Sequence, residues 1–319
     1  METDGQTKHS GQTESLGQSE SLGQSESLGQ SESLGQSETF GQRLRRAMDE
    51  HGPLCAGIDP HRALVEEWGL TYDFAGVETF AMTCVEALGG HVAAIKPQSA
   101  FFEVFGAQGV ALLERVIDEA RARGSVAILD VKRGDIGSTM DAYAHAFLGP
   151  DAVSAPDAIT VSPYLGYESL RPAIDVAHDN GRGVFALCLT SNPEGASVQH
   201  ARLDGQSVAA AVAAGAAGDN AEAANAGHLG SVGLVIGATV GAAVQDLDID
   251  LAAVNGPILA PGLGAQGGTM QDLTRVFGSA LPNVLASSSR TILRAGPGVS
   301  TLRDAAQREA AELRTTRGT

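Results

Sequence analysis

The chain has 319 residues, 43% of them hydrophobic but only 4% aromatic, so it can bury one large core built from Ala, Val, Ile and Leu rather than from rings. A formal charge of −17 argues against a general affinity for nucleic acid or for anionic membrane, and any phosphate it binds must be met by a local cluster of donors.

Residues 1–39 differ from the rest. The hexapeptide ESLGQS repeats from Glu14 and fades into Glu38-Thr39-Phe40-Gly41-Gln42. A period of six fits neither helix nor strand, and one Leu per repeat cannot offset the entropy of ordering it. Residues 1–39 are therefore expected to be a disordered tail, and 40–319 a single folded domain.

The folded part opens with an amphipathic helix over Phe40–His51. Eight apolar strand-like runs follow, at Leu54–Asp59, Val92–Lys96, Val126–Lys132, Ala158–Ser162, Val184–Thr190, Val232–Ala238, Pro257–Ala260 and Asn283–Ser287. Ala-rich helical stretches lie between them, among them Gly109–Arg123, Leu170–Asn180 and Val208–Ala226. Strand alternating with helix implies parallel strands joined by crossover helices, and eight such units predict a (β/α)8 TIM barrel. In that fold the chemistry sits at the C-terminal ends of the strands.

Polar groups collect at those ends. The first run ends in Asp59, the second in Lys96 with Gln98 beyond it, and the third in "AILDVKRGDIG", which holds Asp130, Lys132 and Asp135. Residues two apart on a strand share a face, so Asp130 and Lys132 point one way and Val131 the other. Desolvating such charges costs several kcal/mol each, so they are rarely placed there without a purpose. A salt bridge that merely pins a loop is the plain alternative. Two lysines among three aspartates form instead a network in which each charge is neutralised by its neighbours, and the carboxylates keep Lys132 in a proton-donating form.

Further on, "PGLGAQGG" contains a formal G-x-G-x-x-G at Gly262, Gly264 and Gly267, ahead of an expected helix over Thr269–Phe277. A dinucleotide site needs an acid about 20 residues later to hold the ribose. That region reads "VLASSSR", so the dinucleotide reading fails. In a barrel the loops after strands 7 and 8 commonly bind phosphate. Gly262–Gly268 and Arg290 suit that role, Arg offering a planar bidentate match to a phosphate dianion, with Ser287–Ser289 as small residues that allow close approach. The alternative is that the glycines only make turns.

The eight histidines are scattered and the three cysteines, Cys55, Cys84 and Cys188, stand far apart in apolar stretches. Neither set has metal-ligand spacing, and the cysteines read as buried free thiols in a reducing cytosol. No apolar run is long enough to span a bilayer, and the acidic N-terminus is unlike a signal peptide. A cytoplasmic protein with no metal, membrane or nucleic-acid partner is expected.

"DVKRGDI" resembles the D-x-K-x-x-D motif of the orotidine 5′-phosphate decarboxylases. "AGIDP", "AAIKPQSAFFE", "LTSNP", "APGLGAQGG" and "SSSR" are similar to the other signatures of that family's second subgroup, in the right order at successive strand ends. The resemblance covers Phe40 to the C-terminus. It implies a carbon–carbon lyase that converts orotidine 5′-monophosphate to UMP and CO2, the last step of de novo UMP synthesis, without metal or cofactor, as a homodimer with shared active sites. By motif, Asp59 and Lys96 would meet the ribose, and Lys96, Asp130, Lys132 and Asp135 would form an alternating catalytic array. Asp130 would press on the leaving carboxylate and Lys132 would protonate the carbanion, with Lys96 the next member of the array. Thr190 or Ser191 would meet the pyrimidine. Gly264, Gln266, Gly267, Gly268 and Arg290 would hold the phosphate. Asp135 and Thr139 would reach into the partner's site.

Two rivals remain at this level. Mg-dependent sugar-phosphate enzymes of the same barrel superfamily share D-x-K-x-x-D, but carry an acid for the metal where this chain has Lys96. A non-catalytic nucleotide-binding protein would not need a carboxylate that repels its ligand.

Overall fold

The computed structural model describes residues 38–264 and 267–318. The expected tail lies outside the described residues up to position 37. Its last two members, Glu38 and Thr39, are part of the folded chain. Thr39 caps the helix α1 (Phe40–His51) through a reciprocal capping box with Gln42, and Glu38 pairs with Arg46 at 2.7 Å.

Eight parallel strands close into a barrel: β1 (Leu54–Ile58), β2 (Ala94–Pro97), β3 (Val126–Arg133), β4 (Ala158–Val161), β5 (Gly183–Leu189), β6 (Val232–Ile236), β7 (Ile258–Pro261) and β8 (Val284–Ser288). Each pairs with its sequence neighbours, and β8 pairs with β1 to complete the ring. The (β/α)8 barrel expected from the alternation is the observed fold, with strand ends shifted by one or two residues.

Side-chain alternation explains why the ring closes with its charges at one end. On β3, Ala127, Leu129 and Val131 face outward into the large apolar layer between strands and helices, while Val126 and Ile128 join the cluster inside the barrel. Asp130 continues the inward row. On β2, Ala94 is inward and Ile95 outward, which leaves Lys96 inward as well. The outer layer is completed by α2 (Phe74–Leu88), α3 (Gly106–Ala122), α4 (Gly137–Leu148), α5 (Arg171–Asp179), α6 (Val208–Asp219), α7 (Met270–Phe277) and α8 (Val299–Arg317).

The N-terminal end of the barrel is closed by α1. Phe40, fully buried, meets Phe185 of β5 edge-on at 5.9 Å, and Leu44 and Met48 fill the space beside it. A Cβ on Gly41 would lie 2.1 Å from the Leu229 carbonyl oxygen, so the helix can approach this closely only with glycine there. Arg43 reaches Asp157, just ahead of β4, and Arg45 reaches Pro282 and Asn283, just ahead of β8. With one end sealed, the inward-facing charges open at the other.

One expected helix is divided. Val208–Ala226 breaks at Asn220, whose side-chain amide donates to the carbonyls of Val232 and Val254 and accepts from the Val232 amide. That buried amide ties α6 to the start of β6 and to the helical turn ahead of β7, which offsets the interruption. The excursion between β5 and α6 also holds an antiparallel hairpin, Arg202–Leu203 with Gln206–Ser207, that strand periodicity did not signal. Among the described residues no helix is long and apolar enough to cross a membrane.

Candidate active site

At the C-terminal end of the barrel, Lys96 Nζ lies 2.7 Å from Asp130 Oδ2 and Lys132 Nζ lies 2.5 Å from Asp130 Oδ1. One carboxylate thus bridges two ammonium groups. Burial alone would raise the Asp130 pKa, but Lys96 and Lys132 outweigh it and hold the carboxyl at about 2. Burial also works against the charge on Lys96, and Asp130 and then Asp59 more than reverse it, so its ammonium is held above the usual lysine range. At neutral pH Lys96 is thus held as an ammonium and Asp130 as a carboxylate.

The inward row on β3 is not a plain strand. Between the Leu129–Ile159 and Arg133–Val161 pairs, the register slips, and Asp130, Val131 and Lys132 stand opposite Thr160 alone. Lys132 takes a left-handed backbone, φ +47°, which for a residue with a long side chain costs of order 1–3 kcal/mol and persists only where the surroundings over-determine it. Here the surroundings are the buried Thr160, whose Oγ1 accepts from the Val131 and Lys132 amides at 3.0 Å each and donates to Asp130 Oδ1 at 2.9 Å.

Lys96 and Asp130, but not Lys132 or Thr160, border a cavity of about 350 Å³ lined also by Asp59, His61, Gln98 and Phe101 on one side and by Pro261, Gly262, Leu263, Ser287, Ser289 and Arg290 on the other. Among the described residues Oδ1 of Asp59 and Oγ of Ser289 are buried without a hydrogen-bond partner, which suits both to a polar ligand. Arg290 is half-buried, and among the described residues its guanidinium makes no ion pair. A free arginine opposite a charged trio suits an anion held at one end of a ligand whose other end reaches Asp130.

Several other expected residues do not themselves line this cavity. Thr190 Oγ1 donates to Asn192 Oδ1 at 2.6 Å and accepts from Gln199 at 2.7 Å, so it braces the excursion after β5. Ser191 is exposed, and neither residue lines the cavity. In the loop after β7, the amides of Gly264, Gly267 and Gly268 donate to Gly268, Gly264 and Gly262 carbonyls at 3.0, 2.8 and 3.0 Å. Those three N–H groups close the turn on itself, with Gly264 and Gly267 at positive φ. Gln266 lies outside the described residues. Asp135 is half-exposed, and its Oδ1 accepts from the adjacent Ile136 amide at 2.9 Å; Thr139 is exposed on α4. Neither joins the trio of its own chain.

Three residues at the site, His61, Phe101 and Thr160, go beyond those expected from sequence. His61 and Phe101 meet edge-on, with ring centroids 4.3 Å apart. His61 could have been found two residues after Asp59. Nothing marked Thr160, because a threonine inside a strand looks like an ordinary β-former.

Comparison with known proteins fits this geometry. A sequence profile of the orotidine 5′-phosphate decarboxylase / HUMPS family matches residues 52–305. The orotidine 5′-phosphate decarboxylase of Streptomyces coelicolor is 58% identical over 274 residues, which cover 86% of this chain and 96% of that protein. That of Salinispora arenicola is 57% identical, covering 85% and 96%. Among solved structures, a candidate orotidine 5′-phosphate decarboxylase from Streptomyces avermitilis superposes with a TM-score of 0.83 at 56% identity, covering 88% of this chain and 97% of that one. The barrel, the bridged lysines and these matches lead to one assignment: the chain belongs to the orotidine 5′-phosphate decarboxylase / HUMPS family.

Proposed function

We propose that the protein decarboxylates orotidine 5′-monophosphate to UMP and CO2, the step that completes UMP synthesis. The observation that carries this is the Asp130 carboxylate held between Lys96 and Lys132 at the mouth of the barrel. Four relatives that bear the decarboxylase name are 53–58% identical over most of the chain, which supports the same substrate over the sugar phosphates.

The chemistry asks for such an array. Breaking the bond between C6 and the carboxylate leaves an electron pair on C6, with no ring carbonyl placed to delocalise it. Asp130, kept ionised by its two lysines, repels the substrate carboxylate and favours its departure. The Lys132 ammonium stabilises the pair as it forms and then gives its proton to C6, and solvent restores the proton to Lys132. Lys96 neutralises Asp130 on the far side and, with Asp59, faces the ribose hydroxyls. Reactions this slow in water need acceleration at the high end of the enzymatic range, up to ~23 kcal/mol. Much of it is drawn from binding remote groups, above all the phosphate at Arg290.

The active unit on this reading is a homodimer. The loops after β3 and β4 touch, since a Cβ on Gly134 would sit 2.3 Å from the Ser162 carbonyl. They expose Ile136, Tyr164 and Leu165, at 61%, 77% and 52%. A second copy would cover this patch and bring Asp135 and Thr139 to the neighbouring site.

The test is the loss of orotidylate absorbance with the purified chain, with and without EDTA, and UMP identified as product. Turnover that persists in EDTA is expected. No turnover, or turnover abolished by the chelator, would overturn the reading.

A further inference from the structure

Thr160 is 1% exposed and belongs to β4, not to the strand that carries Asp130 and Lys132. A hydroxyl offers one donor and two acceptor positions. All three are spent on the neighbouring strand: two on the Val131 and Lys132 amides, one on Asp130 Oδ1. Three residues of β3 bulge opposite this one residue, and a bulge interrupts the ladder that would otherwise satisfy their amides. The Thr160 side chain takes the place of that ladder.

The consequence is geometric. The left-handed turn at Lys132 sets where its ammonium lies relative to Asp130, and the Thr160 hydroxyl holds both the amide of that residue and the carboxylate it faces. We infer that Thr160 is a positioning residue for the decarboxylation, fixing Asp130 and Lys132 as one unit through the bulge without touching the substrate. The inference rests on the decarboxylase reading above. Without the hydroxyl, the buried Val131 amide and the part-buried Lys132 amide lose their acceptor and the bulge relaxes toward regular pairing. A displacement of about 1 Å at a reacting group can cost on the order of 100-fold in rate.

The experiment compares Thr160→Val, of nearly the same shape, with Thr160→Ser, which keeps the hydroxyl, in the full chain. Turnover by the wild-type protein tests the underlying reading by itself, so its failure is distinct from failure of this inference. In the valine variant kcat is expected to fall roughly 10- to 100-fold, while affinity for UMP changes less than about threefold, because ribose and phosphate contacts lie on other strands. The serine variant is expected to return kcat to within about threefold of wild type. A valine variant with kcat within twofold of wild type would overturn the inference. So would a parallel loss of UMP affinity, or a serine variant as slow as the valine one. Should the valine variant not fold, Thr160→Cys, similar in size with a thiol that bonds weakly, replaces it: the same fall in kcat is expected, and kcat within twofold of wild type would again overturn the inference.

Discussion

Lys96 and Asp130 form an ion pair 2.7 Å long whose side chains are only 8% and 10% exposed, on adjacent strands of the barrel. Removing the shared carboxylate leaves the buried Lys96 ammonium without its ion-pair partner. Asp130→Ala is therefore expected to cost about 3–5 kcal/mol in denaturant unfolding, and replacing both residues together, Lys96→Met with Asp130→Leu, to recover much of it. The effect depends on pH. The folded Asp130 pKa, about 2, lies below its ordinary value of 3.8, so its contribution is fully present above the unfolded pKa and is lost as pH falls through the folded one. The gap in stability between wild type and Asp130→Ala should narrow as pH drops from about 4 to about 2. A gap that stayed constant over that window would show that the pair is not what Asp130 contributes.

Lys132 differs from Lys96 in exposure, with its side chain 43% open where Lys96 is 8% open. On the proposed mechanism, this more accessible lysine is the one that gives its proton to C6 and regains it from solvent. Lys132→Ala is expected to abolish turnover while UMP still binds measurably, because Asp59 and Arg290 are untouched. Calorimetry with UMP beside an absorbance assay separates the two effects. More than a few per cent of wild-type kcat in this variant would shift the donor role to Lys96.

Arg290 brings no partner of its own among the described residues, and the amides of Gly264, Gly267 and Gly268 in the neighbouring loop are spent on the turn. On the proposed function, much of the phosphate affinity then falls to this one side chain. Charge-assisted hydrogen bonds contribute roughly 1.5–3 kcal/mol each, or about 10- to 150-fold. Arg290→Ala should weaken UMP by that factor and leave uridine almost unchanged. An equal loss for nucleotide and nucleoside would assign Arg290 to the scaffold instead.

The legibility of this protein in its sequence follows from which forces are periodic. The barrel could be read because outward Leu129 and inward Ile128 alternate as every buried strand must, and the charges stood out because Lys96 and Asp130 continue the inward rows. What escaped notice depends on tertiary partners. The slip that sets three residues of β3 against Thr160 has no local signature. The division of a helix at Asn220 is decided by carbonyls 12 and 34 residues away. The glycine run after β7 reads as a phosphate cradle by composition, yet its turn consumes the amides of Gly264, Gly267 and Gly268.

The last relationship concerns Asp135, which follows Lys132 by three residues but accepts a hydrogen bond from the Ile136 amide and takes no part in the trio of its own chain. If Asp135 of the partner subunit completes each site, two inactive variants can rescue one another. Lys132→Ala and Asp135→Ala would be unfolded and refolded together. In a mixed dimer one site inherits both defects, and the other combines an intact Lys132 with an intact Asp135. Random twofold pairing makes about half the dimers mixed, so activity should return to roughly a quarter of the wild-type value. If both residues served the site of their own chain, no mixed dimer would hold a whole site. Mixed dimers demonstrated by differential tagging, yet without recovered turnover, would refute the shared site.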